Sequence, residues 1–165
     1  MLKSLEIIER KLKRKEDLSA HLSRWRFKNE KIVFTNGCFD ILHLGHIDYL
    51  SKASDLGTKL IVGVNSDASV KTLNKGGNRP LQDDYSRARI IAALHFVDVV
   101  IIFNETTPLE LIQIVKPDVL VKGSDYSIKQ IVGHDVVLSA GGEVKTIDFL
   151  EGYSTSKVVK KAQWK

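Results

Sequence analysis

Apolar residues in this chain follow two alternating patterns. KIVFTNG, KLIVGVN, DVVIIF, PDVLVKG and EVKTIDF are short, nearly unbroken apolar runs. Between and after them lie segments with apolar residues three to four positions apart: about Leu44 to Leu56, SDASVKTL, YSRARIIAALHFV, TTPLELIQIVK and the closing STSKVVKKAQ. Unbroken runs predict strands buried on both faces, and the helical spacing that follows them predicts crossover helices. The expected fold is therefore α/β: a Rossmann-like five-stranded parallel sheet with helices on both faces. Punctuation agrees, with Gly37 stopping the first strand, Gly57 ending the next helix, Ser66 a helix N-cap and Pro108 in a first helical turn. NKGGNRPLQDD predicts an exposed loop, and IKQIVGHDVVLSAGG is ambiguous apart from terminal glycines that suit a helix end.

The opening SLEIIERKLKRKEDLSAHLSRW places Leu5, Ile8, Leu12, Leu18 and Leu22 at roughly helical spacing. Residues 1–29 are expected to be a helical lead-in packed on the body outside the pocket, and 30–165 the main domain. The length of 165 residues suits one such domain. Twenty-five Lys and Arg against twenty Asp and Glu give +5, which suits a small anionic substrate. ERKLKRKE reads as a solvated helix face, and Trp25 and Trp164 are too isolated for an RNA-stacking surface, so no nucleic-acid partner is expected. A single cysteine, Cys38, excludes an internal disulfide and a paired-cysteine zinc site; it reads as a small filler without thiol chemistry. No signal-peptide pattern and no membrane-length apolar run is present, so a cytoplasmic protein without a membrane partner is expected.

Ligands of open parallel sheets bind beyond the carboxyl ends of the strands. NGCFDILHLGH, VNSDAS and VKGSDY follow strands directly and should gather at one edge. The first lacks the glycines of a dinucleotide fingerprint and the G-K-[ST] of a P-loop. His43 and His46 could be two metal ligands, but no third histidine or cysteine is placed to join them. As anion contacts they have more support. A helix beginning near Leu44 offers free N–H groups, Gly45 admits a ligand closely, and the two imidazoles face one space. STS ahead of an apolar helical run offers a second anion site. Lys71 and Lys75, near Arg79, could bring positive charge above the pocket. Asp40 would suit a cation or sugar hydroxyl there, or else an Asx-type turn.

HLGH at 43–46 resembles the H-x-G-H signature of the nucleotidyltransferase superfamily that includes the cytidylyltransferases, and GYSTSKVVKK resembles its second signature. FTNGCFDILHLGHIDYL, LGTKLIVGVNSDASVK, NRPL, PDVLVKGSDY, GGEV and STS are similar, in order, to the adenylyltransferase domains of bacterial ADP-heptose synthases, over roughly residues 30–162. That resemblance implies AMP transfer from ATP, with Mg²⁺, to D-glycero-β-D-manno-heptose 1-phosphate by a homodimeric enzyme. It implies catalytic roles for His43, His46 and Lys71. It places Thr35, Asn36, Gly37, Phe39, Gly45, Arg87, Lys122, Gly123, Asp125, Tyr126, Ser154, Thr155 and Ser156 around nucleotide and phosphates, with Arg87 reaching phosphate. Asp40, Asn65, Asp67, Lys75 and Arg79 fall near sugar phosphate or metal, the Mg²⁺ being carried by the triphosphate rather than by a dedicated protein ligand set. Two positions depart from the pattern. Tyr85 replaces an acidic residue two before Arg87, leaving its orientation open, and Ser156 replaces a second threonine. A cytidylyltransferase for glycerol 3-phosphate, a nucleotide sensor and an RNA-binding module are the alternatives.

Overall fold

The computed structural model describes residues 3–73 and 79–162. In chain order it contains α1 (Ser4–Lys11), a 3-10 turn (Lys15–Asp17), α2 (Leu18–Phe27), β1 (Ile32–Gly37), α3 (Leu44–Ser54), β2 (Lys59–Asn65), α4 (Asp67–Thr72) and α5 (Asp84–Ala92). There follow β3 (Val99–Phe103), α6 (Leu109–Val115), β4 (Val119–Gly123), a 3-10 turn (Ile128–Gln130), α7 (His134–Ser139), β5 (Glu143–Ile147) and α8 (Thr155–Ala162). The five expected strands form one all-parallel sheet in the order β3-β2-β1-β4-β5. The ambiguous stretch resolves into the second 3-10 turn and α7.

Alternation along each strand explains why the runs are apolar throughout. Ile32 and Phe34 of β1, Ile61 of β2, Val99, Ile101 and Phe103 of β3 and Leu120 of β4 face one core, filled by α2, α6 and α7. Val33, Leu60, Val62, Val64, Val100, Val119 and Val121 face the other, filled by α3 and α5. Side-chain caps set two helix starts: Ser66 accepts from the Ser69 N–H before α4, and Asp83 from the Ser86 N–H before α5.

The lead-in is built into this body. Leu18, Leu22 and Trp25 of α2 belong to the first core, while Ile8 and Leu12 lie against the second. Leu12 pairs in parallel with Val100, and the Lys13 N–H donates to the Val100 carbonyl at 2.9 Å, extending the sheet by one residue beyond β3. Among the described residues no helix is long and apolar enough to cross a membrane.

Strand order positions the site. The chain winds outward from β1 to β2 and β3, then crosses back through α6 to β4 on the other side of β1. The crossovers on the two sides of β1 diverge, which opens a crevice above the carboxyl ends of β1 and β4.

Truncating Leu22 to alanine should cost about 2–5 kcal/mol in equilibrium unfolding, as for other buried leucines. Nucleotide affinity, measured well below the unfolding transition, should stay within twofold. A loss under about 1 kcal/mol would show that α2 merely rests on the body.

Candidate active site

A pocket of about 660 Å³ occupies this crevice, within the size range of small-ligand sites. Its floor comes from the ends of β1 and β4. The Lys122 ammonium donates to the Asn36 carbonyl at 3.2 Å, tying the two strand ends together. Beyond β1 the chain turns through Phe39 at φ 48°, a left-handed conformation unfavourable for a bulky residue. Burial fixes it there: the ring folds back toward Gly37, where a Cβ would sit 3.0 Å from it, and packs edge-on against His46 with centroids 5.3 Å apart.

His43 is the N-cap of α3, and its ring stacks on that of His46 with centroids 3.8 Å apart and planes 19° from parallel. Burial pushes the His43 imidazole below its ordinary pKa, so near pH 7 the ring is neutral and offers one N–H. Its Nδ1 and the Asn36 Oδ1 are buried in the pocket wall without a hydrogen-bond partner among the described residues. Such orphaned polar atoms mark a surface shaped for a polar ligand.

Gly45 is where two helix starts meet. A Cβ there would lie 3.1 Å from both His43 Nδ1 and Tyr153 Cβ, so glycine lets the entry to α8 approach the first turn of α3. At α8, Ser154 accepts from the Lys157 N–H at 3.2 Å, and Ser154 and Thr155 line the pocket beside Gly45. Two helix N-termini therefore direct N–H groups and positive dipole ends toward one volume.

The pocket thus gathers Asn36, Gly37, Phe39, His43, Gly45, His46, Asn65, Lys122, Gly123, Asp125, Tyr126, Ser154 and Thr155. Other residues expected at the ligand lie behind it. Arg87 is fully buried, and its guanidinium donates to the carbonyls of Gln82 and Cys38 and, at 2.8 Å, to Asp67. All its nitrogens are engaged inside the protein, so it braces the turns after β1 and β2 rather than reaching phosphate, and Asp67 is spent on the same pair. Tyr85 does not disturb it, because the Tyr85 hydroxyl turns to Glu9 of α1. Asp40 is buried and lies outside the pocket lining. It accepts from the N–H groups of Leu81 and Gln82 at 2.7 and 3.1 Å and lies 3.8 Å from Arg79. Arg79 also donates to Ser156 at 3.4 Å, so both belong to this brace.

Thr35 is buried below the floor, hydrogen-bonded at 2.8 Å to the Tyr49 hydroxyl, which it positions at the pocket. Lys71 is exposed at the end of α4 and outside the lining. Lys75 lies outside the described residues. Among those residues no cluster of three or more His, Cys, Asp or Glu could hold a metal ion.

Several lining residues had no motif to announce them. Thr106, Thr107 and Pro108 follow β3, and Phe149 and Leu150 follow β5. The strand-end rule that singled out the other segments applies equally to both stretches. Tyr49 and Cys38 also line the pocket; both sit inside the quoted first motif.

Fold and site together define an α/β domain built to hold a phosphorylated nucleotide across a switch point. The Cytidylyltransferase-like family matches residues 34–161. A Bifunctional protein HldE from Campylobacter jejuni subsp. doylei is 57% identical over 153 residues, 93% of this chain and 32% of that protein. Its namesake from Rhodopseudomonas palustris (strain BisA53) is 56% identical over 147 residues, 89% of this chain and 30% of that one. The chain therefore spans about a third of the length of these curated relatives. The crystal structure of the lipopolysaccharide core biosynthesis protein from Thermoplasma volcanium GSS1 superposes with a TM-score of 0.60 at 31% identity, covering 76% of this chain and 99% of that one. The chain belongs to the cytidylyltransferase-like family of nucleotidyltransferases.

Gly45→Ala should lower turnover at least about tenfold with little change in melting temperature, because the new methyl must displace His43 or Tyr153. Unchanged turnover would mean the two helix starts need not meet. Arg87→Met should cost about 3–5 kcal/mol of stability by leaving Asp67 and two carbonyls unpaired. Weaker ATP binding with stability intact would instead return Arg87 to the phosphates.

Proposed function

We propose that this domain transfers AMP from ATP to D-glycero-β-D-manno-heptose 1-phosphate, releasing pyrophosphate. The observation that carries the reading is the convergence of His43, His46, Lys122 and two helix N-termini on one pocket at the β1–β4 switch point. The similarity to HldE proteins and to a lipopolysaccharide core biosynthesis protein supports the choice of sugar.

An acceptor phosphate oxygen attacks the α-phosphorus of ATP, and the bond to the α,β-bridging oxygen breaks. The attacking phosphate is already anionic near neutral pH, so no strong general base is required. Positioning and charge stabilisation carry the reaction. The stacked imidazoles donate to phosphoryl oxygens whose charge changes at the transition state, and the starts of α3 and α8 hold the phosphate chain. Mg²⁺ supplies charge neutralisation and alignment of the phosphates when bound. Asp125 is the one carboxylate among the described lining residues, so the donor set fits a cation carried mainly by phosphate oxygens.

His43→Ala and His46→Ala should each lower kcat at least about a hundredfold, as removal of a transition-state donor does, with a smaller effect on nucleotide affinity. Pyrophosphate release, measured with ATP or CTP against heptose 1-phosphate, other sugar phosphates and glycerol 3-phosphate, tests the assignment. Preference for CTP with glycerol 3-phosphate would move the domain to the cytidylyltransferase branch. Turnover with no pair would leave a nucleotide-binding module, and near-normal kcat in both variants would remove the histidines from the chemistry.

A further inference from the structure

Among the described residues the lead-in lines no part of the pocket, yet one of its side chains is wired to the pocket wall. Lys15 pairs with Glu105, just after β3, and with Glu110 in the first turn of α6 at 3.2 Å. Lys15 is itself fixed by the sheet pairing at Leu12 and Lys13 and by fully buried Leu18. Burial works against the Lys15 charge, but the hydrogen bonds to Glu105 and Glu110 outweigh it and raise its pKa. Glu105 is held below its ordinary carboxylate range, first by the hydrogen bond from Lys15.

Glu105 is also held from within. Its carbonyl accepts from the Ser69 hydroxyl at 2.8 Å, and that hydroxyl accepts from the Asn65 amide at 2.9 Å. Asn65 lines the pocket, as do Thr106 and Thr107, next in the chain after Glu105. Aromatic rings are unevenly placed among the described lining residues. Tyr126, Phe149 and Tyr153, which follow β4 and β5, offer aromatic surface suited to a base beside the hydroxyls of Ser154 and Thr155, whereas Asn65, Thr106 and Thr107, which follow β2 and β3, offer hydroxyls and an amide with no ring among them. Two strand spacings, roughly 10 Å, separate the end of β3 from that of β1, about the span of a sugar phosphate extending from the reacting centre.

We propose that Lys15 is a positioning residue, fixing the loop after β3 so that Thr106 and Thr107 meet the hydroxyls of the sugar phosphate acceptor. The proposal rests on the reading above that the second substrate is a sugar phosphate. It gives a segment outside the family match at 34–161 a part in substrate selection. Partly exposed ion pairs contribute little to global stability, so the consequence of this network lies in where the loop sits.

The test is isothermal calorimetry and steady-state kinetics on the full chain, using heptose 1-phosphate and mannose 1-phosphate as acceptors. Lys15→Met should weaken acceptor affinity and raise acceptor KM about fivefold or more, with the ATP Kd within twofold and melting within about 3 °C of wild type. Lys15→Arg should recover most of the affinity. Glu105→Gln should reproduce the loss, and the double variant should be no worse than either single one. Acceptor affinity within twofold of wild type in Lys15→Met overturns the proposal. So does an equal loss for ATP, which would mark general damage. If the wild-type chain binds neither sugar phosphate, the functional reading falls along with it. If it binds them and Lys15→Met is indifferent, only the role of Lys15 falls.

Discussion

The buried guanidinium of Arg87 holds the site's framework in place. A charge removed from water is tolerated only where every donor finds a partner, and those partners lie on three separate segments. They are the Cys38 carbonyl in the turn after β1, Asp67 at the start of α4 after β2, and the Gln82 carbonyl ahead of α5. Asp40 reinforces the same junction by accepting from Leu81 and Gln82. The turn carrying Phe39 is strained, and burial of its ring together with this bracing from behind keeps it set. Fixing that turn fixes the start of α3, and with it the stacked histidines.

In front of the brace, the pocket is assembled from backbone ends. Parallel strands bring their carboxyl termini to one edge, and the reversal between β1 and β4 opens space there. The starts of α3 and α8 bring positive dipole ends to that space. Gly45 matters through what it lacks, since its bare Cα allows Tyr153 and His43 to close around it. The stacked rings of His43 and His46 border the same space, and burial holds the His43 imidazole below its ordinary pKa.

The gathering of Tyr126, Phe149 and Tyr153 on one side of the pocket and of Asn65, Thr106 and Thr107 on the other follows from strand order, because the segments after β4 and β5 emerge on one side of β1 and those after β2 and β3 on the other. The lead-in reaches the second side through Lys15. A segment whose leucines serve the core thereby also bears on the geometry around the acceptor.

Much of this was legible in the chain itself. Continuous apolar runs can be satisfied only by strands covered on both faces, and the intervening helical spacing compels parallel crossovers, so architecture and the edge bearing the site followed from periodicity. HLGH and STS were readable because glycine, imidazole and capping hydroxyls at helix starts have few other uses in combination. The sequence could not say which polar residues of a motif face the ligand and which face inward. Thr35, Asp40 and Asp67 lie within the same motifs as lining residues, but a one-residue step along a strand or a turn reverses the side to which a group points, and Arg87 lies on a helix that contributes nothing to the lining. Apart from the Gln82 carbonyl, five residues before Arg87, their partners lie between 14 and 49 residues away along the chain. Lys15 and Glu105 are 90 residues apart. Local pattern determined the elements and the anion-binding starts of two helices, whereas only the packed fold decided which charges pair with each other and which remain for a substrate, because that choice depends on distances between segments that sequence spacing does not encode.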